Sequence, residues 1–259
     1  MSTTKLHVLY FSATGTSRKI VRAIASGMGE VDRELDLTLL KDRQQSHRFT
    51  DQDVVVVGVP VYAGRVPVLL SNYFQQLQGQ DTPVVLVVVY GNRDYDDALL
   101  ELKDLFETNG FRGIAAGAFV GEHSYSSKVA TARPDADDLE TARAFGEEIR
   151  QKLAANEHGH LLEVKGNYPY KELVAMPPMA PETNALCTNC GLCAEHCPTE
   201  AIDFNDCRQV DASSCIRCCS CVKRCPLDAK SFQHERIVGI THYLVDHFSA
   251  IRKEPETFL

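Results

Sequence analysis

Ten cysteines fall between Cys187 and Cys225 of a 259-residue chain that has none before them. Eight form a repeated run: Cys187-x-x-Cys190-x-x-Cys193-x-x-x-Cys197-Pro198 recurs as Cys215-x-x-Cys218-x-x-Cys221-x-x-x-Cys225-Pro226. Four thiolates at these spacings suit a cubane [4Fe–4S] cluster, because the short gaps wrap three sulfurs around one cluster while the fourth, before proline, is directed to the other. One cluster is therefore expected on Cys187, Cys190, Cys193 and Cys225, and a second on Cys215, Cys218, Cys221 and Cys197. Such crossing ties both halves into one small unit with a largely inorganic core. A pair of structural zinc sites is the alternative, but it leaves the third cysteine of each run and both prolines without a role. Cys207 and Cys219 lie outside the ligand set and read as packing residues open to oxidative damage. Disulfides are not expected in a reducing compartment.

The cysteine-free part holds a different chemistry. Ser12-Ala13-Thr14-Gly15-Thr16-Ser17 follows a short apolar run and opens a helical stretch. Hydroxyls and free N–H groups converge there, and a helix N-terminus in that state attracts a phosphate without any lysine. A Ser/Thr-rich helix cap with no ligand is the plainer alternative. No Gly-x-x-x-x-Gly-Lys-[Ser/Thr] occurs, and Gly27-Met28-Gly29 ends a helix instead of following a strand, which weakens the two common glycine-rich nucleotide loops.

The elements that must carry these loops follow βαβ order. Short β-branched runs at Leu6–Phe11, Glu34–Leu39, Val54–Val59, Val84–Tyr90 and Ala115–Val120 alternate with helical stretches at Thr16–Met28, Pro67–Leu77, Asp96–Asn109 and Asp135–Ala155. The third and fourth runs are nearly all valine, as expected of strands covered on both faces. The fold class expected is α/β, a doubly wound five-stranded parallel sheet with a second, small α+β domain. Residues 1–156 form the first domain. Residues 157–184, broken by Gly159, Gly166, Pro169, Pro177, Pro178 and Pro181, form a linker. Residues 185–233 hold the cysteines, and residues 234–259 read as a helix packing back on the body through Ile237, Ile240, Leu244 and Ile251.

The segment Tyr10–Ser17 resembles the phosphate loop of flavodoxins. Pro60-Val61-Tyr62-Ala63-Gly64-Arg65 and Tyr90-Gly91-Asn92-Arg93-Asp94-Tyr95, after the third and fourth strands, extend that resemblance. It implies FMN, with the first loop on the phosphate, Tyr62 and Tyr95 over the flavin faces, Tyr90 structural, and Gly64, Gly91 and Asn92 offering backbone groups to the ring. Arg65 and Arg93 would place positive charge beside the flavin or receive an anionic substrate; a solvated arginine at a loop rim is the plainer reading. His123 and Tyr125 read as surface loop residues or pocket lining. The cysteine runs resemble two-cluster bacterial ferredoxins, with Ala201–Ile202 and Ala229–Lys230 after the Cys-Pro pairs. The second pair departs from the usual apolar ending, and Cys219 stands where a glycine is common.

The whole chain thus resembles the flavodoxin–ferredoxin fusion family of anaerobic bacteria and archaea. The resemblance implies redox work; because clusters pass single electrons and a flavin holds one or two, the chain is expected to transfer electrons between two [4Fe–4S] clusters and FMN and couple one-electron with two-electron partners, as a flavin and iron–sulfur oxidoreductase. A passive carrier and an iron–sulfur sensor are the rivals. No catalytic residue is assigned. The partners expected are ferredoxin-type donors or acceptors and a small-molecule oxidant or reductant, and a homodimer stays open. A net charge of −8 without a dense basic run argues against nucleic acid. No signal peptide or membrane span is read, so the expected location is the cytoplasm.

Overall fold

The computed structural model describes residues 4–155 and 161–259. The expected boundary at 156/157, Gly159 and the first three residues lie outside them.

Five parallel strands carry the first part of the chain: β1 (Lys5–Tyr10), β2 (Arg33–Asp36), β3 (Asp53–Pro60), β4 (Thr82–Tyr90) and β5 (Phe111–Val120). Their spatial order is β2-β1-β3-β4-β5, with Leu9 opposite Val57, Val57 opposite Leu86 and Leu86 opposite Ala116. Every residue of β4 is buried, which is why its sequence carries no alternation. Helices α1 (Thr16–Met28) and α4 (Ala136–Ala154) cover one face, while α2 (Val68–Phe74) and α3 (Ala98–Thr108) cover the other. α1 and α4 meet backbone to backbone: a Cβ on Gly146 would lie 2.0 Å from the Ile24 carbonyl oxygen, and one on Gly27 would lie 2.0 Å from that of Arg143. α4 opens with a reciprocal cap, Asp135 accepting from the Asp138 N–H and Asp138 from that of Asp135.

The cysteine-rich part is small and mixed. Its helices are α5 (Leu192–Glu195) and α6 (Ser220–Arg224), and its two-stranded sheet pairs β6 (Glu182–Thr183) with β7 (Lys230–Ser231). It rests on the carboxyl ends of the large sheet. Arg43 donates to the Pro198 carbonyl oxygen at 2.7 Å, Lys223 pairs with Glu122, and Ile216 and Cys218 pack on the core face shared with α2 and α3.

The tail corrects the expectation of a helix reaching Ile251. α7 (Glu235–Phe248) ends earlier, and β8 (Glu256–Phe258) follows it as a sixth, antiparallel strand on β5, with Thr257 opposite Gly117. Three residues carry no readable period, and it is the open edge of β5 that gives them partners. Ile237 and Leu244 are buried as expected, whereas Ile240 and Ile251 are exposed. α3 also starts two residues later than expected, because Asp96 takes a left-handed φ of 43° that a helix cannot hold.

Candidate functional site

The cysteine runs surround two cavities. One is lined by Cys187, Cys190, Cys193 and Cys225, the other by Cys215, Cys218, Cys221 and Cys197. The last cysteine of each run thus lines the cavity of the other run. Asn189, Gly191, Arg217 and Cys219 take left-handed φ values of 57°, 80°, 57° and 62°, so each run turns tightly between its cysteines. Backbone N–H groups of Ala201 and Ala229 point at Cys197 Sγ and Cys225 Sγ, at 3.3 and 3.2 Å. Burial pushes the Cys218 and Cys221 thiols up to about 12 and the Cys193 thiol up to about 11. In such dry surroundings the thiolate forms only against a strong positive centre, and a coordinated metal supplies one. Four soft sulfur donors around each cavity fit an iron–sulfur group. Cys207 and Cys219 are buried, Cys219 as the left-handed residue that opens α6.

The three other loops leave the carboxyl ends of neighbouring strands β1, β3 and β4. In the first, Gly15 has φ 88°, Ser12 N–H donates to Thr38 Oγ1 at 2.9 Å, and Ser12 Oγ accepts from Arg18 N–H at 3.0 Å. The earlier N–H groups of the first turn have no intrahelical partner. Ser17 Oγ is buried there without any hydrogen-bond partner. An unsatisfied hydroxyl beside unpaired N–H donors fits a phosphate group. Thr14 and Thr16 are half-buried, while Ala13 is buried beneath them.

In the second loop, Tyr62 and Arg65 exchange backbone hydrogen bonds of 3.0 and 3.1 Å around Ala63 and Gly64, both left-handed. Gly64 is required, since a Cβ there would sit 2.1 Å from Asp96 Oδ2. The half-buried Tyr62 ring stands edge-on to Phe11 and close to the Cys218–Cys219 turn; burial raises its hydroxyl well above the usual range, and Cys218 and Cys219 add to that. Pro60 and Val61 bracket the turn's start, with Val61 N–H on the Val89 carbonyl oxygen at 2.9 Å.

Several side chains serve other purposes than the sequence suggested. Arg65 makes a two-pronged ion pair with Glu101, both bonds 2.8 Å, and stacks on Tyr170 at 4.7 Å. Arg93 pairs with Asp96. Neither guanidinium is a free cation at a loop rim. Tyr95 is buried against Tyr90 with its hydroxyl on Glu256 of β8, so its ring is part of the core and not an open flavin cover. Asn92 is fully buried and its side chain holds the tail, donating to the carbonyl oxygens of Phe248 and Ile251 at 3.0 and 2.7 Å. Gly91 packs on His123, where a Cβ would meet Cδ2 at 2.4 Å. His123 and Tyr125 are half-buried at the seam between the two parts, the Tyr125 ring lying 6.3 Å from Phe232, which lines the Cys215 cavity. The seam was invisible in the sequence, since it joins loops about a hundred residues apart.

Residues 7–126 match the flavodoxin domain family and residues 183–203 the 4Fe–4S binding domain family. The chain is a flavodoxin–ferredoxin fusion. The second match holds only the first cysteine run of the fusion. The flavodoxin domain implies FMN, and the 4Fe–4S domain implies an iron–sulfur cluster. The fusion is accordingly an electron-transfer redox protein with redox partners. Among solved structures it is similar to a flavodoxin from the domain Archaea (15% identity over 58% of this chain and 99% of that one, TM-score 0.42). It is also similar to the flavodoxin of Streptococcus pneumoniae TIGR4 (16%, 57% and 98%, 0.40) and to rubredoxin oxygen:oxidoreductase from Desulfovibrio gigas (15%, 60% and 37%, 0.41). No curated protein matches the fusion. Among the described residues, no helix is long and apolar enough to cross a membrane.

Proposed function

We propose that this fusion moves electrons between two [4Fe–4S] clusters and FMN, and so couples one-electron with two-electron partners. The observation that carries the reading is the pair of cysteine-lined cavities, one of which lies beside the Tyr62 loop of the flavodoxin part. When bound, the clusters exchange single electrons and the flavin holds one or two. The ligand sets are Cys187, Cys190, Cys193 and Cys225 for one cluster, and Cys215, Cys218, Cys221 and Cys197 for the other. On the flavodoxin side, the Ser12–Ser17 loop holds the phosphate through first-turn N–H groups and Ser17 Oγ. The turn at Ala63–Gly64 and the backbone of Gly91 let main chain approach the ring, whereas the fully buried Asn92 holds the tail instead. Tyr62, Ile216 and Tyr125 exclude water from the seam through which electrons pass.

Anaerobic purification with iron, sulfide and flavin quantified, followed by stepwise reductive titration, tests the reading. The expected result is about eight iron and one flavin per chain, with electrons equilibrating between them. Zinc in place of iron, or no flavin, defeats it. The pairing of Arg65 with Glu101 and of Arg93 with Asp96 favours the carrier form of this function, in which no anionic small molecule is turned over. Steady-state assays with small-molecule oxidants separate the two forms: turnover faster than electron exchange with a ferredoxin defeats the carrier.

A further inference from the structure

The two cavities are built by repeated sequence, yet their linings differ in charge. Five residues after the last cysteine of each run stand Ile202 and Lys230. Ile202 lines the Cys215 cavity, where its side chain is an ordinary apolar wall. Lys230 lines the Cys187 cavity and, among the described residues, is its only charged lining side chain. It is only 3% exposed. Its Nζ donates to Thr183 Oγ1 and to the Cys207 carbonyl oxygen, both at 2.7 Å. Both acceptors are neutral, and among the described residues no carboxylate pairs with this ammonium. A buried charge without a contacting counter-charge is costly; the Asp206 carboxylate acts on Lys230 through space but does not touch it, so an anion in the cavity is favoured. A cluster held by four thiolates supplies one in the cavity that Lys230 lines.

We infer that Lys230 is the built-in counter-cation of the cluster at Cys187, Cys190, Cys193 and Cys225, and that it makes this cluster the more easily reduced of the two. The inference rests on reading the cavity as a cluster site. A fixed positive charge in a low-dielectric wall favours the more negative redox state. One electron enters and no bond is made or broken. The partner cluster, with Ile202 at the equivalent place, gains no such bias from that position. Electrons would rest on the cluster away from the Tyr62 seam and be released across it when the flavin side accepts them.

The test is a reductive titration of the anaerobic holoprotein followed by paramagnetic resonance, resolving the two cluster reductions, in wild type and in Lys230→Met, Lys230→Gln and Lys230→Arg. The neutral variants should move the easier reduction by at least tenfold in its equilibrium, which is 59 mV lower for a one-electron couple, and narrow the gap between the clusters. Lys230→Arg should keep most of the gap. Should Met and Gln fail to load iron while Arg loads fully, the need for positive charge is shown directly. An unchanged gap in a loaded neutral variant overturns the inference, as does equal loss of iron in all three variants, which marks a packing role. Wild type that binds no iron overturns the underlying reading as well, so the two failures are distinct.

Discussion

Replacing Asn92 by glycine isolates what one buried amide does for the tail. Glycine keeps the left-handed backbone, φ 64° at this position, so no backbone penalty accompanies the loss. The side chain makes three hydrogen bonds: to Phe248 O at 3.0 Å, to Ile251 O at 2.7 Å and from Lys253 N–H at 3.3 Å. At about 1 kcal/mol net for each of the shorter two, and little for the longest, the loss is about 2 kcal/mol, or about 30-fold in a local opening equilibrium. The other tail contacts, Arg133 on the Lys253 carbonyl oxygen, Lys253 Nζ on the Arg93 carbonyl oxygen at 2.6 Å and the β5–β8 pairing, are common to both proteins and cancel in the comparison. Hydrogen exchange by mass spectrometry should show the amides of residues 249–258 exchanging about 30-fold faster, with those of β4 unchanged. Unchanged protection over Glu256–Phe258 would refute the role of Asn92 as the anchor. Equal loss in β4 would show that the tail belongs to the global unfolding unit.

Ser17→Ala should leave the apoprotein as stable or slightly more so, because it deletes a buried hydroxyl with no partner, while weakening FMN binding by about 1 kcal/mol, roughly fivefold; fluorescence titration and thermal melting read the two effects, and a matched loss in both would contradict the phosphate assignment. Gly146→Ala drives a Cβ to 2.0 Å from the Ile24 carbonyl oxygen, so α1 and α4 must part at a cost of about 3 kcal/mol; urea unfolding with no change in midpoint would refute the close crossing. Burial, aided by Lys223 and Arg93, lowers His123 to about 4. A histidine lowered in the fold contributes stability that is complete above the unfolded value near 6.5 and lost as pH falls from there through about 4. His123→Gln should flatten that slope, on the order of 2 kcal/mol, and an identical pH profile would refute it.

Composition and period made the parallel sheet legible because central strands must be apolar on both faces, as Val54–Val59 and Val84–Leu86 are. Helix α1 was readable to the residue, since its glycines flank it and its buried face recurs with helical spacing. β8 was not, because three residues have no period and owe their strand form to the edge of β5. For the site, thiolate spacing is a local property: short gaps fix which sulfurs share a loop whatever the surroundings. The uses of Arg65, Arg93, Asn92 and Tyr95 are not local. Each is decided by a partner from a distant part of the chain or from the folded form of its own loop: Glu101, Asp96, the carbonyls of the tail, and Glu256. The sequence by itself determined which residues bring sulfur and which loops leave the carboxyl ends of strands, since covalent spacing and strand order dictate both. Only the tertiary structure decided which cavity faces the Tyr62 seam, which charges are spent on ion pairs, and that Lys230 is buried without one, because burial and pairing depend on the whole packed chain.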